Sequence, residues 1–236
     1  AADQIINSAA KMLQMSGGQY HCPIVFRGGN GTAGQLGATH SQSFEAFYAH
    51  VPGLKGITPS NPADAKGLLK AAIRDEDPVV FLESEKMYGD KGEVPEGEYI
   101  IPIGVADVKR KGTHITVVSF GKIIKIVEEV AEILAKENID IEIIDLRTIR
   151  PLDFASIVES VKKTNRCVVV EESWPFASIS SEIAFHLQSN AFDYLDAPVL
   201  RVTQTDTPFA FSPVLIDEAL PNKARLIDAI KKVIYS

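Results

Sequence analysis

Residues 115–119 read ITVVS, residues 141–146 read IEIIDL and residues 167–171 read CVVVE. Each is a short apolar run rich in β-branched residues, the pattern of a strand buried on both faces. The segments between them have helical spacing. Across 122–138 (KIIKIVEEVAEILAKEN), Ile123, Val127, Val130 and Leu134 share one face, and Lys125, Glu128, Glu132 and Lys136 lie on the other. Residues 154–164 (FASIVESVKKT) read as a second helix, and Asp153 stands where an N-cap is needed. Strands alternating with helices over short turns predict βαβ units and a parallel sheet covered on both sides.

The first half carries a weaker version of the same alternation. Residues 2–15 place Ile5, Ile6, Ala9, Ala10 and Leu13 at helical spacing until Ser16-Gly17-Gly18 stops them. Strands are predicted at 23–26, 54–58 and 79–82, with a short amphipathic stretch around Phe44, Phe47, Tyr48 and Val51. Asn61 and Pro62 can open a helix presenting Ala65, Leu68, Leu69, Ala72 and Ile73. From 83 to 98 the pattern dissolves into six acidic residues, two lysines, glycines and a proline, which suits a solvated linker. The expected division is therefore 1–98 and 99–236, with a further strand at 198–202 and a closing helix at 223–234.

Composition narrows the function classes. The chain has 31 acidic against 24 basic residues, a formal charge of -7, and no Lys/Arg stripe interleaved with aromatics, which argues against nucleic acid as partner. No apolar run approaches the roughly 20 residues that span a bilayer. Two cysteines, Cys22 and Cys167, each among apolar neighbours, make neither a disulfide framework nor a zinc site and are expected to be reduced. The chain opens inside a helical pattern without Met or a targeting sequence, so an N-terminal part is expected to be missing.

Several segments together resemble one family. Met15-Ser16-Gly17-Gly18, residues 23–28 (PIVFRG), His40-Ser41-Gln42, Ala65-Lys66-Gly67-Leu68 and Ala72-Ile73-Arg74-Asp75 are similar in order and spacing to the beta subunits of thiamine-diphosphate-dependent 2-oxoacid dehydrogenases. Residues 147–153 (RTIRPLD), followed by Glu171-Glu172 and Trp174, resemble the transketolase-type C-terminal domain. One such motif is weak, whereas several in order over the whole chain are specific. The resemblance implies an α/β fold, with a partial parallel-sheet pyrimidine-binding domain followed by that C-terminal domain. It also implies decarboxylation of pyruvate, with the acetyl group passed to a lipoyl arm. Near alternatives are a branched-chain 2-oxoacid or acetoin dehydrogenase subunit and a non-catalytic assembly or docking fragment; a transketolase or deoxyxylulose phosphate synthase fragment fits the motifs less well. The implied partners are an alpha subunit, a second beta subunit and the acyltransferase core. The implied compartment is the cytoplasm in a bacterium, and the mitochondrial matrix or a plastid in a eukaryote.

The resemblance also implies site residues. Thiamine diphosphate would be shared with the alpha subunit, which supplies the magnesium site. The glutamate and stacking aromatic that meet the aminopyrimidine are expected upstream of residue 1, so the chain as given should be catalytically incomplete. His40 is implied as the catalytic residue at the mouth of the site, an imidazole able to exchange protons near neutral pH. By itself a loop histidine is more often held in a structural hydrogen bond. The neighbouring Gly28-Gly29-Asn30-Gly31 is neither G-x-G-x-x-G nor a P-loop. A potassium site is implied at the main-chain carbonyls of Ile24, Ala72, Ile73, Asp75 and Asp77, where the plain reading is a helix C-terminus with carbonyls to satisfy. Arg147 and Arg150 read as structural groups, Trp174 with Phe176 as packing or interface. Asp217 and Glu218 mark an acidic surface suited to a basic acyltransferase segment.

Overall fold

The computed structural model describes residues 1–235. In chain order the first half holds α1 (Met12–Met15), β1 (Val25–Gly29), α2 (Glu45–Ala49), β2 (Lys55–Ile57), α3 (Pro62–Ile73) and β3 (Val79–Glu83). The second half holds β4 (Asp107–Arg110), β5 (Ile115–Ser119), α4 (Ile123–Ala135), β6 (Ile141–Asp145), β7 (Thr148–Arg150) and α5 (Phe154–Thr164). It continues through β8 (Cys167–Val170), α6 (Ile179–Asn190), β9 (Leu200–Val202), α7 (Pro213–Ala219) and α8 (Lys223–Ile234).

Caps named from sequence form as chemistry requires. The Asn61 side chain accepts from the Asp64 amide at 2.9 Å and Asp153 from the Ser156 amide at 3.1 Å, each satisfying a first-turn donor at about 1 kcal/mol. The face of α4 is as read: Ile123, Val127, Val130 and Leu134 are buried, and the four charged residues opposite are exposed.

The strands form two sheets, ordered β1-β3-β2-β7 and β4-β6-β5-β8-β9. Neighbours run parallel except β2 with β7 and β4 with β6. β7 follows a one-residue left-handed turn at Arg147 (φ 57°) and leaves its own half to pair with β2 of the other. One apolar core therefore crosses the molecule: Leu54, Val80 and Leu82 pack with Val118, Ile144, Leu146, Ile149 and Ile183. A second cluster lies between α4, α8 and the five-stranded sheet.

Four features differ from expectation. The first helix is broken: residues Gln4–Ala9 are π-helical, with the Ala10 amide bonded to the Ile5 carbonyl at 3.1 Å. The break brings Ala10 onto Gly53, where an added Cβ would stand 1.9 Å from the Ala10 carbonyl oxygen. β4, an antiparallel edge, was not expected because DVKR has no apolar alternation. Helices α6 and α7 were also missed, the former because ISSEIAFHLQSN lacks a clean apolar stripe. Finally, the acidic segment is solvated as read, with residues 91–98 exposed, but it is tethered to α3, and the chain just past residue 98 packs on the first half. The Lys66 ammonium donates to the Pro95 carbonyl at 2.6 Å, Tyr99 Oη to that of Ala63 at 2.8 Å, and Glu98 lies between Lys70 and Arg74, each at 2.6 Å. Ile101 and Ile103 pack on Ile57, Leu68 and Phe81, so this stretch runs along α3 as part of its packing.

Candidate active-site loop

The chain leaves β1 in a glycine-rich loop, residues 30–44, that ends at α2. Its base is closed by backbone, since the Gly31 amide donates to the Gln42 carbonyl at 2.8 Å. Asn30 holds the first-half side: its Oδ1 accepts from the Phe44 amide at 2.8 Å, and its Nδ2 donates to Glu45 Oε1 at 2.7 Å. The second half holds the other side. Glu172 Oε1 accepts from the Thr32 amide at 2.6 Å and from Thr32 Oγ1 at 2.7 Å. Lys122 Nζ donates to the Thr32 carbonyl at 2.8 Å and pairs with Glu172 Oε2 at 2.5 Å. Gly31 has φ 73° and lies against this carboxylate; an added Cβ there would stand 2.8 Å from Glu172 Oε1.

The tip is looser. Gly34, Gln35 and Leu36 are exposed, and His40 ends the short 3-10 turn Ala38–His40 with its side chain exposed. A Cβ at Gly28 or Gly34 would touch nothing, so the loop leaves open space beside the β1 end.

Behind the root is a small cavity of about 20 Å³ lined by Asn30, Glu45, Thr58, Ser84, Lys122 and Glu172. Glu45 is buried and its Oε2 has no hydrogen-bond partner. Burial, reinforced by the charges of Glu172 and Glu171, pushes the Glu45 carboxyl up to about 8. Burial likewise raises Glu171, whose Oε1 accepts from the Ser180 amide at 2.8 Å, and lowers Lys122.

A second charged cluster joins the halves below. Asp145, fully buried, accepts from the Ser60 hydroxyl and from the Arg147 amide at 3.1 Å, and lies 3.8 Å from Lys109. Arg147 pairs with Asp64 at 2.8 Å and Asp107 at 3.1 Å, and Lys109 pairs with the same two at 3.2 and 2.9 Å. Burial pushes Asp145 up to about 6.

The other residues singled out from sequence are scattered. Ala72, Ile73, Asp75 and Asp77 lie at the end of α3 and in the turn after it, and the Ile24 carbonyl, just before β1, accepts the Val79 amide at 2.9 Å. The carboxylates of Asp75 and Asp77 turn to Lys55, at 2.7 and 3.1 Å. Trp174 Nε1 donates to the Thr207 carbonyl at 2.9 Å, while Phe176 is exposed. Asp217 and Glu218 lie exposed on α7, a separate short helix before the closing one, beside exposed Val214 and Leu215. Cys22 and Cys167 are free thiols, the latter pushed up to about 12 by burial. Among the described residues no three of His, Cys, Asp or Glu converge as metal ligands, and no helix is long and apolar enough to cross a membrane. Sequence reasoning did not find Asn30, Thr32, Glu45 or Lys122. Glu172 was legible only as part of Glu171-Glu172, two carboxylates closing a buried strand.

Comparison with known proteins places this geometry. Residues 2–91 match the transketolase pyrimidine-binding domain and residues 104–226 the transketolase C-terminal domain, so the two halves are those of a thiamine-type α/β pair. The chain is 52% identical over 236 residues to the pyruvate dehydrogenase E1 component subunit beta of Rhizobium meliloti, 51% identical over 235 to that of Rickettsia felis, and 48% identical over 239 to the human mitochondrial one. It covers 98–100% of its own length in such matches, but 51%, 72% and 67% of those three proteins. It belongs to the family of pyruvate dehydrogenase E1 beta subunits. A solved split-gene transketolase, described as an inactive beta4 tetramer, superposes with TM-score 0.81 at 21% identity over the whole chain and 72% of its own, sharing the fold.

Proposed function

We propose that this chain works as the beta subunit of a thiamine-diphosphate-dependent 2-oxoacid dehydrogenase that decarboxylates pyruvate and passes the acetyl group to a lipoyl arm. The observation that carries this reading is about 50% identity along the entire chain to relatives that all bear the pyruvate dehydrogenase name. In it the subunit pairs with an alpha subunit and a second beta subunit, and α7, with Asp217 and Glu218, offers an acidic surface to the acyltransferase core.

The residues present fit part of a cofactor site. Open space beside Gly28 and Gly34, with an exposed imidazole at the loop's end, suits a ligand held between subunits. In this reading magnesium belongs to the alpha subunit. When bound, thiamine diphosphate supplies the electron sink for the charge left as carbon dioxide departs. His40 is assigned the proton exchange at the mouth of the site, which an exposed imidazole can perform near neutral pH. A potassium ion is assigned to the carbonyls of Ile24, Ala72, Ile73, Asp75 and Asp77, where the carboxylates of Asp75 and Asp77 are both engaged by Lys55.

The test assembles the full-length subunit with its alpha partner and measures carbon dioxide release and lipoyl acetylation. Pyruvate should outcompete branched-chain 2-oxoacids, and His40→Ala should lower turnover at least about 100-fold. The wild-type assembly should retain the acyltransferase core at low salt and melt higher in potassium than in sodium chloride. Preference for a branched substrate, or full turnover by the variant, would overturn the corresponding assignment.

A further inference from the structure

We infer that Glu172, together with Lys122, is a positioning residue for His40: from the second half of the molecule it clamps the root of the loop that carries the imidazole. The inference rests on the role given to His40 above and deepens it.

The loop has two roots, and they are held differently. On the α2 side, Asn30 ties the backbone at Phe44 and the side chain of Glu45, both in the first half. On the β1 side, Thr32 is fully buried, and three of its polar groups are engaged from the second half. Its amide and hydroxyl donate to Glu172, and Lys122 donates to its carbonyl and meets its hydroxyl at 2.5 Å. Glu172 and Lys122 also bond each other, so each fixes the partner's geometry. Gly31 carries no side chain where the carboxylate sits, which lets the backbone approach it.

Beyond these roots the tip has little else to define it. Residues 34–36 and 38–40 are exposed, and the visible neighbour of Gly37 is the Phe211 ring, 3.6 Å from where a Cβ would stand. His40 lies two residues before Gln42, whose carbonyl accepts from the Gly31 amide beside Thr32, so holding Thr32 also holds the strand of loop that carries the imidazole. Both clamping groups follow strand ends of the five-stranded sheet, Lys122 after β5 and Glu172 after β8, and strands buried on both faces are a rigid base. The clamp lies behind the loop, and its groups are spent on Thr32 and each other, so it acts through the loop and not as a group that meets substrate.

The experiment uses the full-length subunit, alone and assembled with its alpha partner. Glu172→Ala removes the acceptor, Glu172→Gln keeps an acceptor for the Thr32 amide but loses the charge pair, and Lys122→Met removes the other jaw. In the free subunit, Glu172→Ala and Lys122→Met should speed amide exchange across residues 31–42 roughly tenfold, with β5 and β8 unchanged. The His40 ring resonances should then collapse to motionally averaged shifts. In the assembly, kcat should fall about ten- to hundredfold with KM for pyruvate nearly unchanged, and Glu172→Gln should recover part of the loss. Unchanged loop exchange and His40 ring resonances in variants that retain the wild-type melting temperature would overturn the inference. So would a global loss of exchange protection in all three, which would make the pair a general fold element. The exchange and resonance readouts need no turnover, so an inactive wild-type assembly would count against the proposed function alone.

Discussion

Two charged clusters bridge the halves of this molecule, one around Asp145 and one around Glu45, and they are balanced unequally. The first has Lys109 and Arg147 for Asp64, Asp107 and Asp145; in the second, among the described residues, Lys122 pairs with Glu172 while Glu45 and Glu171 are in no ion pair. In the first, the carboxyl farthest from a cation, Asp145, is raised only to about 6. In the second, Glu45 touches no cation and is raised to about 8, so it keeps a proton at neutral pH. A buried carboxyl is ionised only as far as a nearby cation repays its lost hydration. The lower cluster thus behaves as paired charge, and the cluster behind the loop as a neutral acid beside an ion pair.

The largest expected effect removes a cation from the balanced cluster. Arg147→Met leaves Asp64 and Asp107 with Lys109 alone, and should cost about 3 kcal/mol in urea denaturation at neutral pH. A loss under about 1 kcal/mol would mean the guanidinium contributes no more than an exposed pair. A smaller effect, with a sign set by pH, is expected at Glu45→Gln. The carboxyl titrates near 4.5 unfolded and near 8 folded, so folding favours the protonated form. Its contribution is full below 4.5 and declines as pH rises towards 8. Glutamine should match wild type at pH 5 and be more stable by about 1–3 kcal/mol at pH 9. Identical pH profiles would show that the carboxyl ionises freely. The smallest effect is expected where the carboxylate is solvated: Glu98→Ala, which frees half-buried Lys70 and exposed Arg74, should leave the melting temperature unchanged within error.

The sequence disclosed the elements whose chemistry is local. α8 occupies the residues read from its spacing, and the Asn61 and Asp153 caps are made by the side chains that announced them. What stayed hidden depends on partners distant along the chain. β7 is three residues, and nothing in Thr-Ile-Arg says that it will pair with Gly56 and Ile57 across the molecule. Glu45 sits in an amphipathic stretch where a charge reads as solvent-facing; its burial follows from Asn30, 15 residues earlier, and from Glu172 in the other half. His40 is assigned only through resemblance, since an exposed loop imidazole has no spacing signature. The clamp on Thr32 spans 140 residues, beyond the reach of any local pattern.

The crossing of β7 into the first sheet also governs how this protein can be taken apart. Any cut in the stretch between β3 and β4 would strip β2 of its outer neighbour, because that neighbour is residues 148–150. The first piece would carry a raw strand edge open to pairing with another copy. The second would carry an orphaned ribbon with Ile149 and its apolar surroundings bared to water. Shuffling the halves independently, in evolution or in the laboratory, therefore means moving residues 148–150 with the piece whose sheet they complete, so the unit of exchange is defined by strand pairing and not by chain order.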